Sequence, residues 1–133
     1  MTAGTLDPSN LALDQSADRT TWVLRAEGAA MAALATSAYA STGASWWLYL
    51  ALLLVPDIAM LGYLRGPKFG ALIYNGGHTY ALPFASAAVG TVSAEPLLTS
   101  IAFVWIAHIG FDRMLGFGLK RSTGFKHTHL GNL

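Results

Sequence analysis

Five ionisable side chains that could carry out chemistry lie within apolar stretches of the sequence: Glu27, Asp57, His78, His108 and Asp112. Imidazole and carboxylate groups bind divalent metal ions, and they also exchange protons near neutral pH. In apolar surroundings such groups are costly, and they usually mark a functional site. His108 and Asp112 are four residues apart, which places both on one face of a helix. The set therefore predicts a polar centre inside an apolar protein.

The composition excludes several classes of protein. Of the 133 residues, 53% are hydrophobic and 11% are charged, whereas a soluble globular domain carries about 25% charged residues. The absence of cysteine excludes disulfide scaffolds, thiol nucleophiles, iron–sulfur clusters and cysteine–zinc sites. The net charge of +1 provides no basic field for nucleic acid. These figures favour one small integral membrane domain.

Four apolar segments are each long enough to cross a bilayer, which takes about 20 residues. They cover residues 22–40, 45–64, 69–92 and 97–119. Short polar or Gly/Pro clusters separate them, so neighbouring helices are expected to run antiparallel. The sequence thus predicts an all-α fold, an up-down-up-down four-helix transmembrane bundle over 22–119. A polar N-terminal tail over 1–21 and a basic C-terminal extension over 120–133 flank it.

The basic residues predict the orientation of these segments. All eight Lys and Arg residues lie near the start of the first segment, in the loop after the second, or at and after the end of the fourth. By the positive-inside rule, both termini and the loop that holds Arg65 and Lys68 are cytoplasmic. We therefore expect a multi-pass protein of the inner (cytoplasmic) membrane. Its partners would be membrane lipid and a small molecule, not nucleic acid, with a homo-oligomer left open.

The ionisable residues share one depth in the predicted membrane. At 1.5 Å per residue from the cytoplasmic ends, they lie about 10 to 18 Å deep. Random placement on segments of alternating direction would scatter them over the hydrocarbon thickness of about 30 Å. The common depth predicts that they meet in the cytoplasmic half of the bundle.

One hypothesis for this centre is a metal site. Its ligands would be Asp57, His78, His108 and Asp112. Imidazole nitrogens and carboxylate oxygens suit zinc, manganese or iron. Glu27 would serve as a fifth ligand or general base, and Arg113 would receive an anionic group of the substrate. The ion would activate water for hydrolysis of a lipophilic or amphiphilic small molecule.

A second hypothesis needs no metal or other cofactor. Carboxylates in a dry bundle can divide acid and base roles, here Asp57 and Asp112. His78, Asn75 and Tyr80 would position a water or a substrate oxygen. Epoxide opening, isomerisation and cyclisation of a lipophilic substrate all use such chemistry.

A third hypothesis is a non-catalytic transport or scaffold subunit. Taken singly, the same residues also fit structural roles. His108 and Asp112 would then form a hydrogen-bonded pair within one helix, and Arg25 with Glu27, or Asp112 with Arg113, an ion pair near the interface.

Two histidines fall in the C-terminal extension. His127 and His129 are two residues apart and would point to opposite sides of an extended strand, so we do not pair them as ligands. A fold-back could bring His129 over the mouth of the bundle, whereas His127 fits a solvated tail.

Short motifs after residue 22 resemble a known family. They are Leu24 to Gly28, Pro56-Asp57 through Tyr63, Tyr74-Asn75 with His78 to Tyr80 and Pro83, Trp105 with His108 to Arg113, Gly116 to Lys120, Gly124 to Lys126, and Thr128 to Gly131. Their combination resembles domain-of-unknown-function family 4260 of small bacterial integral membrane proteins. The resemblance implies a multi-helix membrane protein and no particular activity. The chain departs from the pattern at His127, where an acidic residue is expected.

Overall fold

A computed structural model of the chain describes residues 8–121, 127–128 and 130–132, and these are almost entirely helical. The helices are α1 Pro8–Ser41, α2 Trp46–Leu53, a 3₁₀ helix Val55–Arg65, α3 Pro67–Gly77, α4 Ala81–Val92 and α5 Pro96–Leu115. Two-residue strands, β1 His127–Thr128 and β2 Gly131–Asn132, pair antiparallel near the C-terminus. The predicted all-α class is confirmed.

The helices form four segments in the predicted order, but the second and third segments are each divided. At Leu54 the second segment changes from α2 to the 3₁₀ helix, because Pro56 lacks the N–H that would continue an α-helix. The third segment is interrupted between α3 and α4. Gly76 and Gly77 are poor helix formers, and Pro83 removes a donor from the following turn. The prediction of an unbroken helix over 69–92 is therefore wrong.

The ends of the first and fourth segments also differ from the prediction. The polar region predicted as a tail is helical from Pro8. No glycine occurs between Pro8 and Gly28 to interrupt this helix. At 34 residues, α1 is about 50 Å long. The last helix ends at Leu115, four residues before the predicted end, because Gly116 adopts the left-handed conformation that terminates helices.

Two glycines allow α1 and α5 to pack with their backbones in contact. A Cβ atom on Gly28 would lie 2.7 Å from Arg113 Cβ, and one on Gly110 would lie 2.6 Å from the Ala32 nitrogen. At the opposite end of the contact between α1 and α5, the Ser100 hydroxyl donates to Thr42 Oγ1. The two helices are therefore antiparallel. Such small-residue crossings are typical of helices that associate in membranes.

Within the described residues, two helical stretches are long and apolar enough to cross a membrane, where the sequence predicts four. They are Trp46–Arg65, with a mean hydropathy of 1.8, and Pro96–Leu115, with a mean hydropathy of 1.2. The third segment does not qualify because its break leaves helices of 11 and 12 residues. Length and composition alone are weak grounds, since the core helix of a soluble protein passes the same test.

Replacement of Gly110 by alanine should destabilise the protein. The added methyl group would meet the backbone of α1, and overpacking of this kind typically costs about 1 to 3 kcal/mol. Gly76→Ala is the matched control, because nothing lies within 4 Å of a Cβ at that helical position. We expect a lower thermal unfolding midpoint in detergent for Gly110→Ala alone. Equal midpoints for the two variants would contradict the close crossing of α1 and α5.

Candidate metal centre

Four of the predicted ligands lie together between three helical segments. They are Asp57 of the 3₁₀ helix, His78 at the end of α3, and His108 and Asp112 of α5. One donor atom from each lies within 4.8 Å of all the others. Residues that are 55 positions apart in the chain thus converge on one point.

Local sequence explains how each element presents its ligand. Asp57 follows Pro56 and belongs to the first turn of the 3₁₀ helix. His78 is the C-cap residue of α3, and its backbone N–H bonds to the carbonyls of Tyr74 and Asn75. His108 and Asp112 are separated by one turn of α5, as their spacing predicts.

The distances between the donor atoms are close to those around a tetrahedral metal ion. His78 Nε2 lies 3.1 Å from His108 Nε2, 3.6 Å from Asp57 Oδ1 and 3.4 Å from Asp112 Oδ2. His108 Nε2 lies 3.5 Å from the same Asp57 oxygen and 3.6 Å from the same Asp112 oxygen. Around a zinc ion with bonds of 2.0–2.2 Å, neighbouring ligand atoms are about 3.3 to 3.6 Å apart. Four of the six edges of the tetrahedron therefore have suitable lengths, and the edge between the two histidine nitrogens is slightly shorter, at 3.1 Å.

The hydrogen bonding of His78 fixes its tautomer. Its Nδ1 lies 2.9 Å from the Tyr74 carbonyl oxygen, which can only accept, so Nδ1 carries the hydrogen. In the neutral ring, Nε2 then presents its lone pair to the centre of the cluster. Metal-binding histidines usually donate their other N–H to a carbonyl or carboxylate in this way.

Tyr74 supports two ligands at once. Its ring stacks on the His78 imidazole, with centroids 3.7 Å apart and planes 11° apart. Its hydroxyl donates to Asp112 Oδ2 over 3.2 Å. Tyr74 therefore holds the imidazole of α3 and the carboxylate of α5 in one arrangement.

The four ligands differ in exposure. The side chains of His78 and His108 are 3% and 5% exposed, and that of Asp112 is 17% exposed. Asp57 is 39% exposed. The cluster is therefore closed on the imidazole side and open at Asp57.

A family model supplies the identification. The model for a domain of unknown function, DUF4260, matches residues 21–133. The chain belongs to the DUF4260 family. Comparisons with curated proteins and with solved structures gave no match. The family prediction from the sequence motifs is confirmed, and the membership assigns no activity.

The other predicted site residues of this DUF4260 chain lie outside the four-residue cluster. Glu27 has an exposed side chain on α1, so its role as a fifth ligand or base stays a prediction. The guanidinium of Arg113 stacks over the Tyr80 ring, 4.4 Å from its centroid. The buried Tyr80 hydroxyl has no hydrogen-bond partner among the residues that the structure describes. Asn75 bonds to the backbone of Lys120.

The roles of two residues that shape the DUF4260 site were not predicted from the sequence. The indole N–H of Trp105 donates to the Gly77 carbonyl over 2.6 Å. This bond fixes the end of α3 directly before His78. Lys120 was assigned to the basic extension, yet it is buried against Tyr74. The side chains of His127 and His129 lie outside what the structure describes, so their predicted roles stay untested.

An apolar cavity adjoins the cluster. It has a volume of about 210 Å³ and is lined by Leu52, Val55, Pro56, Ile101 and Trp105. Pro56 precedes Asp57, and Trp105 lies one turn before His108 on α5. Two of the lining residues are thus close in the chain to ligands of the cluster.

Replacement of Trp105 by phenylalanine should loosen the end of α3. It would leave the Gly77 carbonyl without its indole donor, and a net hydrogen-bond contribution of about 1 kcal/mol corresponds to roughly fivefold faster exchange. We expect this increase in amide hydrogen exchange at Gly77 and His78, measured by mass spectrometry in detergent. Trp47→Phe is the control, since Trp47 is 81% exposed. Equal exchange in the two variants would contradict the proposed fixing of α3.

Proposed function

We propose that this protein is an integral membrane metalloenzyme. Asp57, His78, His108 and Asp112 bind one divalent ion, and the reaction is hydrolysis of a lipophilic or amphiphilic small molecule. The observation that carries the proposal is the set of five distances of 3.1–3.6 Å among the four donor atoms.

The chemistry of the donors supports a cation at their centre. His78 Nε2 presents a lone pair, and two carboxylate oxygens face the same point. Among the four ligands, only His108 can supply a hydrogen to the others when both carboxylates are ionised, and Tyr74 donates one more to Asp112 from outside the cluster. A divalent ion balances the two carboxylate charges and satisfies all four donor atoms together.

The donor set and its spacing favour zinc over manganese and iron. Two nitrogens and two oxygens at near-tetrahedral distances suit zinc, which is bound by four ligands in most protein sites. Manganese and iron commonly use more ligands in octahedral arrangements. The donor atoms of Asp57 and Asp112 lie within 4.8 Å of each other. A water or a substrate oxygen would join at this edge as a fifth ligand.

The surface supports a location in the membrane. Large apolar side chains stand exposed on several helices, among them Trp47, Leu64 and Val92, each more than 80% exposed. Water-soluble proteins rarely expose apolar surface on this scale. With the positive-inside rule, this surface supports a multi-pass protein of the inner membrane with both termini in the cytoplasm.

The chain's own groups suit hydrolysis. A bound divalent ion polarises a carbonyl or phosphoryl oxygen and lowers the pKa of water. Asp57 lies on the open side of the cluster, where Oδ2 can take the proton released from the attacking water. Tyr74 keeps Asp112 in place through its hydroxyl. The apolar cavity of about 210 Å³ can hold the apolar part of the substrate outside water.

Metal analysis of detergent-purified protein tests the proposal. We expect about one equivalent of zinc per chain in the wild type and its loss in His108→Ala and in Asp57→Asn, because each removes a ligand. Glu95→Gln is the control, since Glu95 is an exposed acidic residue at the start of α5. A wild-type protein that takes up no metal from a zinc, manganese and iron mixture would overturn the metal centre. Activity of such metal-free protein would favour the acid–base alternative.

Tyr74→Phe should weaken metal binding without abolishing it. The variant keeps the ring that stacks on His78 and removes the hydroxyl bonded to Asp112, and outer-shell partners of this kind are typically worth about 10- to 100-fold in affinity. Tyr49→Phe is the control, because the Tyr49 hydroxyl bonds to Thr36 outside the cluster. Competition titrations with a zinc indicator give the two affinities. Unchanged affinity in Tyr74→Phe would show that Asp112 is held in place by other contacts.

A further inference from the structure

Lys120 is a buried cation in a protein that has few charges. It follows the end of α5 by five residues, yet it is only 5% exposed. Burial lowers the pKa of its ammonium group, and the negative charge of Asp112 raises this pKa in part. An ammonium group taken out of water carries a considerable energetic cost. A surface lysine of a solvated tail would not bear this cost.

Asn75 holds the backbone of Lys120 in place through both ends of its side-chain amide. The Lys120 N–H donates to Asn75 Oδ1 over 2.7 Å, and Asn75 Nδ2 donates to the Lys120 carbonyl over 2.8 Å. Lys120 also forms an antiparallel bridge with Thr128. Asn75 lies three residues before His78 on α3, so the element that carries a ligand also fixes Lys120.

The side chain of Lys120 reaches the cluster through Tyr74. Its Nζ lies 5.4 Å from the centroid of the Tyr74 ring. That ring stacks on His78, and its hydroxyl bonds to Asp112. The ammonium group is therefore next to the ligands and is supplied by a part of the chain outside the helical segments.

Charge balance indicates the role of Lys120. A divalent ion with two carboxylates and two neutral imidazoles has no net charge. Lys120 then adds one positive charge on the Tyr74 and Asp112 side of the cluster. A site of this kind favours a ligand with a single negative charge on oxygen.

We propose that Lys120 binds the monoanionic oxygen group, a phosphodiester or carboxylate, of an amphiphilic substrate whose apolar part occupies the neighbouring cavity. This inference rests on the metal centre proposed above. It makes Lys120 a specificity-determining residue that acts beside the ion and does not bind it.

The test uses cobalt in place of zinc, because the visible spectrum of Co²⁺ responds to changes in its ligands. Cobalt-loaded protein in dodecyl maltoside is titrated with dimethyl phosphate and with acetate. Mixed micelles of phosphatidylglycerol, with diacylglycerol as the neutral comparison, provide the lipid form. We expect a saturable spectral change with at least one anion and none with diacylglycerol.

The variants separate the role of Lys120 from that of the ligands. Lys120→Met should weaken the anion response at least tenfold and leave the cobalt affinity unchanged, while Lys120→Arg should retain most of the response. Arg121→Gln is the matched control, because Arg121 is the next residue and is exposed. Thermal unfolding of each cobalt-loaded variant verifies that it is folded.

Each outcome has a defined meaning. A response to both phosphodiesters, or to acetate, supports the proposal and identifies the group. A response to phosphatidylglycerol alone supports it and assigns the group to a lipid.

If cobalt binds and no anion changes the spectrum, or if Lys120→Met responds like the wild type, the role of Lys120 is overturned and the metal centre stands. If Lys120→Met loses cobalt or fails to fold while Lys120→Arg does not restore the anion response, Lys120 is structural. Failure of the wild type to bind cobalt would overturn the metal centre itself.

Discussion

The polar centre depends on the break in the third helical segment at His78. There the Tyr74 carbonyl accepts both the backbone N–H and the Nδ1–H of His78. In a continuous α-helix the His78 side chain would project sideways from the helix. Its ring would then have no backbone carbonyl to accept the Nδ1–H and so fix the tautomer. A break inside an apolar bundle is costly unless its free backbone groups find partners. Here the indole of Trp105 bonds to the Gly77 carbonyl, so the same contact stabilises the break and ties it to α5.

The position of α5 completes the arrangement, because α5 carries two of the four ligands. Its contact with α1 is set by Gly28 and Gly110, which bring the two backbones together. That contact lies at the level of His108 and Asp112, so it determines how far α5 can shift relative to α3. The first segment thus contributes no ligand to the cluster and still controls its geometry.

The sequence was most informative where the spacing of residues in the chain determines their positions in the fold. The four residues of the cluster were predicted because charges are rare in the apolar segments, and because the spacing of His108 and Asp112 has only one meaning on a helix. Depth alone also selected Glu27, whose side chain is exposed, since depth along a helix says nothing about which side a residue faces. Lys120 was missed because a chain that folds back after its last helix has no periodicity to reveal it. The break at His78 was missed because Gly76, Gly77 and Pro83 are all tolerated within membrane helices.

The buried negative and positive charges of this chain must balance each other. An apolar protein can keep ionised carboxylates inside only when positive charge is near, and the residues around Asp57 and Asp112 provide little of it by themselves. The neutral tautomer of His78 adds none, and the Arg113 guanidinium lies over Tyr80. Lys120 contributes one positive charge beside Asp112, which leaves the second carboxylate to be balanced. The divalent ion proposed here would supply more than this deficit and leave a single positive charge. A bound anion would balance that charge, which connects the low charge of the sequence to the kind of molecule that the proposed site would accept.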